Sequence, residues 1–285
     1  MKGTIMDGDF SAIRIVVADG VAHVTLDNPP VNVLNVQLMT ELRRFLTAMR
    51  VEDTVKAIVF DSANPDFFIV HVDMTLIDEP KAFDALAKDV PEGLNVFQAF
   101  SEMLRHQPQV TIVKLKGLAR GGGAEFVAAA DMCFAEIGRA GLAQCEALMG
   151  IIPGGAATQY LGHRLGRNRA LEAVLGADLF DAETAERYGW INRALSADQI
   201  DTFVETLAKN IAALPEGVIE AAKKVLPPAD LLAGLATENQ AWADLFIRPA
   251  AEQLIRGGLR DGAQTREGEK RLEALLRATN LNRLR

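Results

Sequence analysis

The stretch KLKGLARGGGAEFVAAAD, residues 114–131, decides how the rest of the chain is read. The apolar run 110–115 has the composition of a short buried strand and meets a kink at Gly117. Three consecutive glycines, Gly121, Gly122 and Gly123, then open directly into a helical run carrying Glu125. Glycine lacks a Cβ, so the backbone there can turn sharply and come close to a bound atom. The first amides of a helix have no partner inside it and lie at the positive end of its dipole. That place suits a developing negative charge, with a carboxyl group one turn away to move protons. The same glycines also suit a plain strand-to-helix turn with close packing.

Working outward, the 285 residues are enough for one large domain with a tail, or for two small ones. Hydrophobic residues at 49% and charged residues at 24% describe ordinary globular material. A formal charge of −8, with no basic face, argues against non-specific binding to nucleic acid or anionic membrane. The amino terminus has no apolar core of signal-peptide length, and no 18-residue apolar run occurs. Cys133 and Cys145 fit a reducing compartment without a disulfide framework, so a cytoplasmic protein is expected.

Upstream, residues 13–17 and 21–26 read as strands joined by the hairpin signal Asp19-Gly20. Residues 36–50 carry the stripe of an amphipathic helix (Leu38, Met39, Leu42, Phe45, Leu46, Met49), and 57–60 reads as a buried strand. The segment FFIVHVD, 67–73, is extended chain or loop, and 83–106 is helical with a break near Pro91. Downstream, 132–137 and 190–195 read as strands; 154–165, 167–175, 180–188 and 199–213 read as helices. Beyond Glu216 the chain is almost wholly helical, over 218–225, 229–246, 250–256 and 265–285. The shift in composition across 214–228 separates an α/β body from a helical tail.

Short strands between helices also suit a doubly wound sheet. The phosphate motifs oppose that: a dinucleotide fingerprint needs glycine where Phe126 stands, and no Walker lysine-serine pair follows a glycine loop. None of the four serines lies in a G-x-S-x-G elbow. His23, His71, His106 and His163 show no metal-binding spacing, so no metal is expected. Cys145 reads as a packed thiol, and Arg120 as a surface arginine. Acidic groups beside glycine turns remain.

Five segments together resemble the crotonase, or enoyl-CoA hydratase/isomerase, superfamily. They are NPPVNVLNVQLMTEL (28–42), FFIVHVDMTLI (67–77), KGLARGGGAEFVAAADMCFA (116–135), AQCEALMGIIPGGAATQYL (143–161) and TAERYGWINRAL (184–195). The resemblance implies an α/β spiral of ββα turns over residues 1–213. It also implies that a helical region, 214–285, covers the active site and builds a homotrimer or a dimer of trimers. The implied substrate is an acyl-CoA thioester, with no cofactor beyond the coenzyme A it carries. Its carbonyl oxygen would sit between the backbone amides of Val72 and Gly122. Donors fixed in advance stabilise an enolate there. Glu125 would activate water and Glu146 would deliver a proton to the α carbon. Two carboxylates in one site repel, so one of them should hold its proton more tightly. Val70, His71, Asp73, Gly121, Pro153 and Gly154 would line the substrate path. Taken singly, Glu125 also reads as a first-turn glutamate complementing the helix dipole, and Glu146 as a solvated loop residue.

The chain departs from that pattern at Val70-His71-Val72-Asp73, where relatives carry small residues and a glycine in place of His71. A narrower pocket is expected, and backbone strain if that glycine has positive φ. The imidazole either faces substrate or turns away under Phe68. Met74-Thr75 stand where a basic residue often meets the coenzyme A phosphates, and Arg248, Arg256 and Arg260 are the remaining candidates. Three activities fit: hydration of an enoyl thioester, double-bond isomerisation mainly through Glu146, or a scaffold that has lost catalysis.

Overall fold

The computed structural model describes residues 4–5, 10–79 and 81–283. Leu284 and Arg285, which end the expected last helix, lie outside them, as does most of the segment 1–9 read for a leader.

The chain opens with β1 (Thr4–Ile5), β2 (Ile13–Ala18) and β3 (Val21–Leu26), the last two paired antiparallel across the Asp19-Gly20 turn. Helix α1 (Val36–Met49) starts at Asn35, whose side chain accepts from the Leu38 amide. Its apolar stripe is wholly buried, as the periodicity requires. Then follow β4 (Ala57–Ser62), a 3-10 turn (Met74–Asp78), α2 (Asp84–Ala87) and α3 (Val96–Arg105). The central stretch forms β5 (Val110–Leu115), β6 (Leu118–Arg120) and α4 (Gly122–Ala129). The next unit repeats that order with β7 (Met132–Glu136), β8 (Gly141–Ala143), a 3-10 turn (Glu146–Met149) and α5 (Ala157–Leu165). After α6 (Arg167–Leu171) and a π turn come β9 (Phe180–Asp181), α7 (Ala182–Tyr188), β10 (Arg193–Leu195) and α8 (Ile200–Ala212). The tail holds α9 (Val218–Val225), α10 (Leu232–Phe246), α11 (Pro249–Asp261), α12 (Arg266–Glu269) and α13 (Leu272–Arg283).

Two sheets result. The larger runs β1-β2-β3-β4-β5-β7-β10, antiparallel up to β3 and parallel from β3 onward. The smaller runs β6-β8-β9. The units β5-β6-α4 and β7-β8-α5 each give one strand to each sheet before the helix, which is the spiral expected from the sequence. The inner strand β4 is buried on both faces over Ala57–Phe60. Ile58 and Phe60 face the main core, whereas Ala57 and Val59 face α8 through Val204 and Ala208.

Helix α4 lies at the centre, with all of its residues buried. Phe126, standing where a dinucleotide fold would need glycine, anchors it. Its ring meets Phe60 at 5.1 Å, Phe100 at 5.8 Å and Phe68 at 6.0 Å. The start of α4 presses on the 67–73 segment, because a Cβ on Gly123 would lie 2.0 Å from the Ile69 carbonyl oxygen. A separate apolar cluster packs α11 and α13 against Met74, Cys145, Leu148 and Met149. Among the described residues no helix is long and apolar enough to cross a membrane.

Three expected boundaries shift. The helix read over 154–165 begins only at Ala157, because Ala156 has φ 94° and Gly154 and Gly155 are drawn into contact with Trp242 and Glu125. The strand read over 190–195 is confined to β10, while Trp190 is a fully buried core side chain. The helix read over 250–256 continues to Asp261.

Candidate active site

Two segments run side by side into the site. The amide of Phe68 donates to Leu118 O (2.9 Å) and that of Arg120 to Ile69 O (3.2 Å). Beyond that rung the chains part. Among the described residues neither the Val72 nor the Gly122 amide donates to another group. They are close neighbours, since a Cβ on Gly122 would lie 3.6 Å from Val72 N and 2.8 Å from Val72 Cγ2. Gly121 makes the turn between them with φ 47° and ψ −124°, a conformation that favours glycine.

Val72, Gly121 and Gly122 line a cavity of about 340 Å³ together with Glu125 and Glu146. Most of its wall is apolar, and two aromatic pairs contribute: Phe83 with Phe97 (5.0 Å) and stacked Trp242 with Phe246 (4.8 Å). His71, Asp73 and Gly154 also line it. Val70 and Pro153 are buried but are not among its lining residues. Val70 packs with Val31, Val33 and Phe67 instead, so it does not narrow the path.

Neither glutamate is a solvated surface group. Glu125, only 3% exposed, accepts from the amides of Gly155 (2.7 Å) and Ala157 (3.2 Å) through Oε1. Burial, reinforced by the charges of Glu146 and Glu238, holds its carboxyl well above the usual range. Glu146 begins the 3-10 turn after β8 and is 7% exposed. With the Gln144 amide oriented to satisfy its neighbours, Gln144 donates to Glu146 Oε2 (3.1 Å) and Oε1 (3.2 Å). Burial pushes Glu146 up to about 7, with Glu238 adding to the rise and His71 opposing it. Both carboxyls are displaced upward, where mutual repulsion alone called for one.

A third buried carboxylate, Glu238 on α10, was missed in the sequence. It accepts from the amides of Ala156 (2.7 Å) and Thr158 (3.0 Å), from Gln98 Nε2 (3.0 Å) and from the Thr158 hydroxyl. Four successive amides, 155 to 158, are thus dealt alternately to Glu125 and Glu238. The signal was present in part: Leu235, Glu238 and Trp242 follow i, i+3, i+7 spacing, so one carboxylate sits on an inward face.

The His71 ring turns toward charge rather than under Phe68. Its Nδ1 lies 2.7 Å from Val72 O and its Nε2 3.0 Å from Glu269 Oε1. Burial disfavours the charged ring, yet the adjacent Glu269 carboxylate outweighs it and raises the pKa. Both ring nitrogens face acceptor oxygens, an arrangement that favours the protonated ring. His71 does not have positive φ, so the expected backbone strain is absent there. Arg120 is not a surface residue: it is 0% exposed, with Nε donating to Glu273 Oε1 (2.5 Å) and Nη2 to Oε2 (3.1 Å). Its partner lies 153 positions away, beyond the reach of local pattern. Asp73 caps the 3-10 turn through Thr75 N (2.9 Å) and accepts from Gln264 Nε2 (2.9 Å). Cys145 is fully buried with its thiol pushed well up by burial, a packed thiol as read from the sequence. Of the three candidate phosphate-binding arginines, Arg256 is paired with Asp78 (2.6 Å) and Glu252 (2.9 Å). Arg260 lies 3.7 Å from Asp261, and Arg248 donates to Asp244 O.

Comparison with known proteins agrees with this architecture. A crystal structure from Streptomyces avermitilis, provisionally named an enoyl-CoA hydratase, superposes with a TM-score of 0.94. It is 61% identical and covers 95% of this chain and 99% of that one. Enoyl-CoA hydratase from Bacillus halodurans, at 24% identity and TM-score 0.76 over 86% and 99% of the two chains, shares the fold. The probable enoyl-CoA hydratase echA8 of Mycobacterium leprae is 26% identical over 81% of this chain and 90% of its own length. Methylglutaconyl-CoA hydratase of Mus musculus is 27% identical over 74% and 68%. The family model for enoyl-CoA hydratase/isomerase matches residues 17–268, and the chain belongs to that crotonase-type family.

Proposed function

We propose that the protein is an enoyl-CoA hydratase-type lyase, adding water across the double bond of an acyl-CoA thioester or removing it. The thioester oxygen would accept from the Val72 and Gly122 amides. Glu125 would take a proton from water as its oxygen bonds to the β carbon, while the π electrons move onto the thioester oxygen as an enolate. Glu146 would then give its proton to the α carbon, so that H and OH are added. This leaves Glu125 protonated and Glu146 ionised, and passage of one proton from Glu125 to Glu146, directly or through water, restores the starting pair. Each unpaired donor aimed at such an oxyanion is typically worth about 2.7–4 kcal/mol of barrier. Acid–base help of this kind is typically worth about 10²–10⁴-fold.

One observation carries the reading: a single cavity is lined by two partnerless amides and two buried carboxylates held above their ordinary range. Its apolar, aromatic wall favours a hydrophobic acyl group. The isomerase reading draws on Glu146 alone, since a carboxyl titrating near 7 suits proton shuttling between two carbons. A cytoplasmic site and a trimer or dimer of trimers built on the 214–285 region complete the proposal, the former in keeping with two buried free thiols.

The test is loss of the conjugated absorbance of crotonyl-CoA and bulkier enoyl-CoA thioesters. Glu125→Gln and Glu146→Gln should each abolish hydration. An isomerase would tolerate the first, and no turnover of any thioester by the wild-type protein would leave a scaffold without catalysis.

A further inference from the structure

The two segments that supply the oxyanion amides are cross-linked by backbone only as far as the Arg120–Ile69 rung. Beyond it each is held separately, the loop by Leu34 on both sides of Val72 and Gly121 by its amide to Ala143 O. The side-chain link that joins the two comes from the far end of the chain. His71 immediately precedes Val72, and Arg120 stands two residues before Gly122. Both side chains run to one C-terminal segment. Glu269 takes His71 Nε2 at 3.0 Å and has its other oxygen 3.8 Å from Arg120 Nη1. Glu273, one helical turn later, grips Arg120 through two nitrogens. The same segment holds the loop twice more. Gln264 donates to Asp73 and accepts from the Met74 amide (2.5 Å), and its own amide donates to Glu269 Oε1 (2.7 Å).

His71 is 2% exposed, and Arg120 and Glu269 are 0% exposed. Burying this many charges is costly, and apolar residues of similar volume would serve packing alone as well or better. A charged network does something apolar packing does not: it fixes distance and direction through bidentate and paired hydrogen bonds, and it leaves a cation beside the cavity. His71 Nδ1 at Val72 O also fixes the peptide that follows the donor amide.

We propose that the charged quartet His71–Glu269–Arg120–Glu273 is a brace that sets the separation and aim of the Val72 and Gly122 amides, making Glu269 and Glu273 positioning residues for the reaction. The inference rests on the proposed enolate chemistry. None of the four residues exchanges a proton with substrate. Their effect falls on the anionic state and spares ground-state binding, because amides moved apart still touch a neutral thioester but stabilise its enolate less.

The experiment uses the full chain and acetoacetyl-CoA, a β-keto thioester whose enolate absorbs in the near ultraviolet where the keto form does not. Enolate absorbance of the bound ligand is titrated against pH for wild type, Glu269→Gln, Glu273→Gln and Arg120→Lys. Affinity for butyryl-CoA, which cannot ionise in this range, is measured in parallel. The wild-type protein should lower the apparent pKa of the bound ligand. The variants should need about tenfold lower proton concentration for the same enolate fraction, with butyryl-CoA affinity within about threefold and kcat reduced about 10–10²-fold. Glu273→Gln carries the test if Glu269→Gln does not fold, since the Glu273 side chain retains 14% exposure. Folded variants that ionise the ligand as wild type does overturn the brace and leave the enolate chemistry standing. A wild-type protein that binds the ligand only as the ketone overturns both.

Discussion

Replacing Gly155 by alanine should damage catalysis through Glu125 without touching that residue. A Cβ on Gly155 would stand 2.3 Å from Glu125 Oε2 and 2.8 Å from its Cδ. Ordinary contact begins near 3.4 Å, so carboxylate and backbone must separate by about 1 Å. The Gly155 backbone cannot simply retreat, because its amide donates to the other oxygen of the same carboxylate at 2.7 Å. Gly155 does not have positive φ, so the effect is steric and local. A misplacement of about 1 Å typically costs about 10²-fold, equivalent to about 2.7 kcal/mol of barrier. Steady-state loss of enoyl absorbance should therefore show kcat down about 10²-fold with KM within about threefold. Gly162→Ala is the control: it lies in α5, the helix that follows Gly155, with nothing within 4 Å of the added carbon, and should retain full activity. A folded Gly155→Ala protein with wild-type kcat would refute the assignment of proton transfer to Glu125.

Three further outcomes follow from the buried charges. Glu146, raised from 4.5 to about 7, must be protonated to give a proton to the α carbon, so hydration should decline as pH rises past about 7. Dehydration, which needs the ionised form, should decline below it, and limbs of the same sense in both directions would remove Glu146 from that role. The same rise makes its stabilising contribution complete below 4.5 and lost as pH climbs through about 7. Glu146→Gln should then exceed wild type by about 3 kcal/mol at pH 8 and by little at pH 4 in urea unfolding. His71→Gly strands the Glu269 carboxylate in the interior and should cost about 3–5 kcal/mol at pH 7. Chemical denaturation at wild-type midpoint would mean that the pair is dispensable.

The sequence revealed the site where chemistry and chain order coincide. The glycine trio, Glu125, Glu146 and the Val72 loop are each short motifs whose spacing survives in the fold, and they meet in one cavity. The hairpin, α1 and the strands of the larger sheet were legible because two-fold and 3.6-fold periodicity report one-sided or complete burial directly. What escaped was held by contacts of very long range. Arg120 read as a surface residue because the acids that pair with it are remote in the chain, arriving from α12 and α13. Glu238, Gln264 and Glu269 passed as ordinary polar positions of a charged helical tail. The alternatives for His71 stayed open for the same reason, since the carboxylate that fixes its ring is 198 residues away.

The alternating capture of amides 155 to 158 ties the candidate site to the helical tail. Helix α5 has no side-chain cap of its own, and its entry residue Ala156 adopts a left-handed conformation. Its opening turn is held from outside, by one acid from the heart of the spiral and another from the late helix α10. Before α10 docks, half of those amides lack acceptors and the turn that seats Glu125 is only half supported. Completion of the candidate site therefore needs the tail helix α10 as well as the spiral, since both acids must be in place to hold that turn.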